Sequence, residues 1–215
     1  MKLIKESIDD IQYVTEATEN GEKRLYIEGI FLVGDRVNKN KRLYRMDLLR
    51  AEVNRYTEEY INKNIAVGEL GHPEDPKINP ERLSHKIISL REDGNTFIGK
   101  ALILSTPFGN IARNLINDGV TLGVSSRAVG NVVTTDEGYN VVTDMRIITP
   151  ADIVLDPSAP GAFVQGIMEN REWMMINGIF VEQDFEHVKS TIKKTPKREL
   201  ENVMIKMFEN FIRKL

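Results

Sequence analysis

The chain contains three histidines, His72, His85 and His187, and no cysteine. Thiol nucleophiles, disulfides and thiolate metal sites are thereby excluded, and any chemistry that needs an imidazole has three candidates. Two places gather reactive side-chain types. His72 lies between Gly71 and Pro73, with Glu69, Glu74 and Asp75 close by in sequence. Gly123-Val124-Ser125-Ser126-Arg127 sets a serine pair and a cation into an apolar run. A serine hydroxyl is weak at its own pKa. As a nucleophile it needs an adjacent base, a group that orients the base, and donors for the oxyanion that forms. The segment nearly spells G-x-S-x-G, but Arg127 stands in the final place and the pattern continues as strand. An α/β-hydrolase also puts its histidine after serine and acid, where only His187 is available, so a fold with histidine before serine fits better.

The remaining candidates read more plainly. His85 falls inside a strand pattern and suits a half-buried, hydrogen-bonded structural side chain; His187 falls in a charged tail. A metal site at His72, Glu74 and Asp75 would offer one imidazole among carboxylates, without the ligand spacing of a zinc site. Neither a metal nor another cofactor is expected.

These residues need elements to position them. Residues 25–33 are β-branched and aromatic and end at Gly34-Asp35, which predicts a strand buried on both faces. Over 46–62, Leu48, Leu49, Val53, Tyr56 and Tyr60 recur at three- and four-residue steps, the period of an amphipathic helix. Residues 65–70 predict a strand that runs into a proline-bounded loop carrying His72. Segments 83–90 and 96–104 flank Asp93-Gly94, a hairpin signal. A short helix follows over 109–118, then strands 122–134 and 139–148 around Asp136-Glu137-Gly138, and a last strand at 152–155. Hairpins dominate over βαβ alternation. The expected fold is α+β: an antiparallel or mixed β-barrel of about six or seven strands surrounded by helices, with a C-terminal helical tail. Residues 1–23 read as a flexible lead-in, 24–181 as the folded domain, and 182–215 as a charged tail with an apolar stripe through Leu200, Met204, Met207, Phe211 and Leu215.

Composition bounds the function. With 41% hydrophobic and 28% charged residues over 215 positions the chain is globular. No apolar run nears the ~20 residues that cross a bilayer, and a net charge of −3 gives no general attraction to nucleic acid or an anionic membrane. The N-terminus lacks the apolar core of a secretory signal, so a cytosolic site of action is expected.

Five ordered blocks carry a resemblance: Tyr26-Ile27-Glu28-Gly29-Ile30-Phe31, Asn38-Lys39-Asn40-Lys41-Arg42-Leu43-Tyr44, Gly68-Glu69-Leu70-Gly71-His72-Pro73, Leu122-Gly123-Val124-Ser125-Ser126-Arg127 and Asp156-Pro157-Ser158-Ala159-Pro160. From about 25 to 165 the chain resembles the prohead core protein proteases of tailed bacteriophages. The resemblance implies a serine endopeptidase of herpesvirus-assemblin-like fold that cuts scaffold or core proteins, capsid proteins and itself inside the prohead, in the host cytoplasm. On it, Ser125 matches the nucleophile and His72 the base. Asp152 occupies the position of the third member, with Asp144 and Glu69 as runners-up. Ser126 and Arg127, together with Ser158 and Gly161 in the 156–161 turn, are the implied oxyanion and substrate-binding positions. The family cleaves after Glu with an apolar residue two places earlier, a pattern found at Ile167-Met168-Glu169, Phe180-Val181-Glu182 and Met207-Phe208-Glu209. Self-cleavage that sheds the tail is therefore expected. Homo-oligomers are compatible with this reading; nucleic acid and membrane are not implied. The alternatives are a non-enzymatic core or scaffold protein of the same fold, and a small-molecule esterase.

Overall fold

The computed structural model describes residues 2–8, 11–17, 23–155, 172–176 and 179–183. In chain order the elements are strands β1 (Lys2–Ile8), β2 (Ile11–Ala17), β3 (Lys23–Val33) and β4 (Arg42–Tyr44), helix α1 (Met46–Tyr56), strands β5 (Val67–Glu69), β6 (Leu83–Asp93) and β7 (Thr96–Ile103), helix α2 (Pro107–Asn117), and strands β8 (Gly123–Thr134), β9 (Asn140–Val154), β10 (Glu172–Ile176) and β11 (Ile179–Gln183). The larger of two compact units spans Leu3–Gly166. In the smaller, β10 and β11 pair as an antiparallel hairpin with Ile176 opposite Ile179.

Nine strands form two sheets, of order β1-β8-β9-β4 and β2-β3-β7-β6-β5. All pairings with an assigned register are antiparallel except β4 with β9, which is parallel. The expected β-rich fold is present, but with eleven strands among the described residues, where six or seven were anticipated, and two α-helices. Part of the excess lies in 1–23. Read as a flexible lead-in, this segment supplies β1 and β2, because Ile4 and the alternating Tyr13 and Thr15 suit an extended strand once a partner edge is available. Ile4 is buried in the core. The expected helical tail over 182–215 lies outside the described residues beyond Gln183.

Two strands anticipated at 139–148 and 152–155 are one. Pro150 does not end β9, because Thr149 pairs with Arg127 and Asp152 with Ser125, which leaves Pro150 and Ala151 opposite the single residue Ser126. A bulge of this kind asks no ladder donor of the proline. The 46–62 helix starts as α1, with Met46, Leu49, Val53 and Tyr56 on its buried face, and passes into a π-helical turn at Thr57–Ile61. The core gathers Phe31, Leu49, Tyr56, Ile87, Val124 and Ile153. Among the described residues no helix is long and apolar enough to cross a membrane.

Candidate active site

Register alone makes Ser125 and Asp152 neighbours. They are directly opposed on β8 and β9, and opposed residues project from the same face. His72 arrives from the other sheet. Beyond the end of β5, Leu70 bridges Ile153 in parallel and the Gly71 N–H donates to the Ile153 carbonyl at 2.8 Å, which carries the chain past Asp152. Two glycines permit this route. A Cβ on Gly68 would lie 2.3 Å from both the Ala151 carbonyl oxygen and His85 Nε2, and Gly71 turns at φ +85°.

The three side chains meet. Ser125 Oγ lies 3.1 Å from His72 Nε2, and His72 Nδ1 lies 3.4 Å from Asp152 Oδ2. An ionised carboxylate only accepts, so the Nδ1 proton faces Asp152 and the Nε2 lone pair faces the serine hydroxyl. That is the tautomer a general base requires. Ser125 and Asp152 are fully buried, whereas the His72 side chain keeps 21% of its surface exposed. Burial holds the His72 pKa below the ordinary imidazole value; the hydrogen bond to Asp152 opposes this, and the charges of Lys5 and Arg127 reinforce it. The imidazole is therefore neutral at pH 7 and able to accept a proton.

The other expected residues are distributed differently. Ser126 sits at the bulge beside Ser125 and lines a cavity of about 300 Å³ with Ile4, Glu6, Phe31, Leu49 and Met145. Arg127, expected as an oxyanion contact, is fully buried and turned to other partners. Its Nη2 donates to Glu69 Oε1 at 2.9 Å, its Nε lies 3.0 Å from Asp152 Oδ2, and its Nη1 donates to the Asp75 carbonyl at 2.6 Å. Two buried carboxylates attract a guanidinium more strongly than open space beside a serine. Ser158 and Gly161 lie outside the described residues.

Glu69, the runner-up for the third position, accepts from Arg127 and from the Asn79 N–H and is not placed on the imidazole. Asp144 pairs across the sheet with Asn131, toward the exposed end of β8. His85 is structural, as expected, though fully buried: Nε2 donates to the Ala151 carbonyl at 2.9 Å and Nδ1 accepts from Ser84 Oγ at 2.9 Å. Among the described residues no three metal-ligating side chains gather into a cation site.

β1 lies hydrogen-bonded along β8, the strand that carries Ser125. Its Glu6 carboxylate is held by three donors: Arg42 Nη1 at 2.6 Å, Tyr44 Oη at 2.8 Å and Asn40 Nδ2 at 2.7 Å. Arg42 also donates to the Lys5 carbonyl at 3.2 Å. The Lys5 amine interacts with Glu74, Arg127 and Asp152, and its burial lowers its pKa. The 38–44 loop, with its polar and cationic groups, thus forms a carboxylate seat next to the serine strand.

Residues 5–172 match the family described as prohead core protein serine protease. The prohead core protein protease of Enterobacteria phage T4 is 38% identical over 144 residues, covering 65% of this chain and 68% of that protein. The solved structure of the bacteriophage T4 capsid assembly protease, gp21, superposes with a TM-score of 0.68 at 31% identity, over 73% of this chain and 98% of that one. A family match over most of the chain, a relative of this identity and a shared fold make it a serine protease that belongs to the prohead core protein serine protease family.

Proposed function

We propose that this chain is a capsid-maturation endopeptidase that acts inside the prohead on core and capsid proteins, cuts after glutamate, and makes its own first cut between Glu6 and Ser7. His72 takes the Ser125 proton as the hydroxyl attacks the scissile carbonyl, and returns it to the leaving amine; Asp152 holds the imidazole in its tautomer and offsets the imidazolium charge. Water then releases the acyl group by the same proton path in reverse.

The observation that carries the specificity is the Glu6 seat. Peptides bound to proteases commonly lie extended and add a strand to a sheet edge, with side-chain pockets setting the preference. β1 does this against β8, and Ile4-Lys5-Glu6 has the apolar-x-Glu pattern noted at three sites farther along the chain. An Arg, a Tyr and an Asn converging on one carboxylate suit Glu and leave buried donors unpaired when Gln or Ala enters. While β1 is in place, an incoming peptide competes with it for the same edge.

Intact-mass analysis of purified full-length chain over time tests this reading. The expected product begins at Ser7, Ser125→Ala stays whole, and Glu6→Gln is processed more slowly. A full-length chain that keeps its mass while it cuts an added Ile-Lys-Glu-Ser peptide would sink the Glu6 cut alone. Failure to cut that peptide after Glu would sink the specificity.

A further inference from the structure

We propose that Arg127 is a positioning residue, a single buried guanidinium that holds Asp152 and the His72 loop in register with Ser125, two residues before it on the same strand. The proposal rests on the reading that Ser125, His72 and Asp152 carry out the cleavage. One fork reaches all three elements. Toward β9, Nη2 donates to Asp152 Oδ1 at 3.3 Å, and Nε lies at an ion-pair distance of 3.0 Å from Oδ2 without hydrogen-bond alignment. The Glu69 N–H donates to the same Oδ1 at 3.0 Å. These contacts fix the carboxylate plane and leave Oδ2 facing His72. Toward the loop, Nη1 donates to the carbonyls of Asp75 at 2.6 Å and Lys77 at 3.3 Å, pinning the chain just beyond His72. A lysine ammonium has no planar fork with which to make all of these contacts at once.

Glu69 acts as the counterweight. A fully buried arginine is stable only with anionic partners, and Glu69 supplies the second one, itself backed by Arg82 Nε at 3.6 Å and the Asn79 N–H at 3.0 Å. The charges that face His72 are Lys5 from β1, Arg127 from β8 and Asp152 from β9, with Glu69 behind Arg127 and Glu74 on the loop itself.

Removing the Arg127 cation favours protonation of His72 and so moves the acid limb of activity to higher pH. Removing the Glu69 anion leaves more of the cation acting on His72 and moves the limb to lower pH.

The test uses full-length Arg127→Gln, Arg127→Lys and Glu69→Gln. Hydrolysis of a glutamate peptide and labelling of Ser125 by a fluorophosphonate are followed from about pH 5 to 9, alongside thermal melting. Arg127→Gln is expected to lose roughly 100-fold in kcat with KM little changed and its acid limb at higher pH. Arg127→Lys should recover the limb but only part of kcat, and Glu69→Gln should shift the limb the opposite way. A role confined to stability would lower amplitude or melting temperature and leave the limbs in place, and that result overturns the proposal. If Arg127→Gln does not fold, the two milder variants decide: a Glu69→Gln limb that stays put or moves to higher pH overturns it. Wild-type enzyme that hydrolyses the peptide without labelling at Ser125 would refute the underlying triad instead.

Discussion

At the residue scale, the proposed function separates groups that react from groups that select. Tyr44 is the cleanest probe of selection, because Tyr44→Phe removes only the phenolic donor to the Glu6 carboxylate and keeps the ring. A hydrogen bond to a charged group contributes about 1.5–3 kcal/mol, so kcat/KM for a glutamate peptide should fall roughly 10- to 100-fold. The preference for Glu over Gln should shrink with it, and an unchanged ratio would rule Tyr44 out of the seat. Asp152→Asn is expected to cost roughly 10⁴-fold in kcat, since an amide on Nδ1 favours the wrong imidazole tautomer; single-turnover hydrolysis reads this directly. Which of these residues were legible in the sequence follows from their physics. Ser125 and His72 were nameable because they fall in two of the five motif blocks, and Asp152, with Asp144 and Glu69 as runners-up, from its place on a strand after the serine; the structure brings Ser125, His72 and Asp152 into contact. Arg127 was placed among the oxyanion positions on the resemblance, while the carboxylates that capture it come from β5 and β9. Glu6 was passed over although Ile4-Lys5-Glu6 satisfies the same pattern noted at three sites farther along the chain, because the segment was taken for a lead-in.

At the element scale, the site exists because β5 runs close enough to β9 to deliver His72. Gly68 sets that approach: a methyl group there would meet the Ala151 carbonyl and the His85 ring, both held in place by the Nε2 hydrogen bond. Gly68→Ala should destabilise the fold by about 1–3 kcal/mol, the usual cost of overpacking. It should lower kcat further by moving His72 off Ser125. Chemical denaturation and peptide hydrolysis check the two effects, and a variant with wild-type values for both would show that the strand has room to spare. The hairpins β6–β7 and β8–β9 were legible because their turns carry Asp-Gly and Glu-Gly, with Gly94 at φ 59° and Gly138 at φ 81°. β9 was divided in two because Pro150 normally ends a strand, and only the register opposite Ser126 explains its tolerance. β1 and β2 were missed because polar strands have little local signal, since strand preference mostly reflects packing against neighbours; β1 gains its partner from β8, far along the chain, and β2 from the adjacent β3.

At the scale of the whole molecule, the two described histidines link stability to acid. His85 is fully buried, and burial holds its pKa below the ordinary 6.5 despite the Ala151 hydrogen bond and the Asp152 charge. His72 is shifted in the same direction. A histidine lowered in the folded state binds fewer protons there than in the unfolded chain, so stability rises with pH through this window. Its contribution is complete above about 6.5 and is lost as pH falls below that value toward the folded pKa, at up to about 1.4 kcal/mol per pH unit for each group. Carboxylates whose pKa is lowered by arginine, Glu59 and Glu92, act in a separate window, below their ordinary value of 4.5. The melting temperature should therefore begin to fall already between about pH 6.5 and 5. His85→Gln keeps an amide donor for the Ala151 carbonyl but cannot take up a proton. Its melting curve is expected to fall less steeply over that interval and to run parallel to wild type below it. Equal slopes in the two proteins would mean that the acid sensitivity resides elsewhere, in His72.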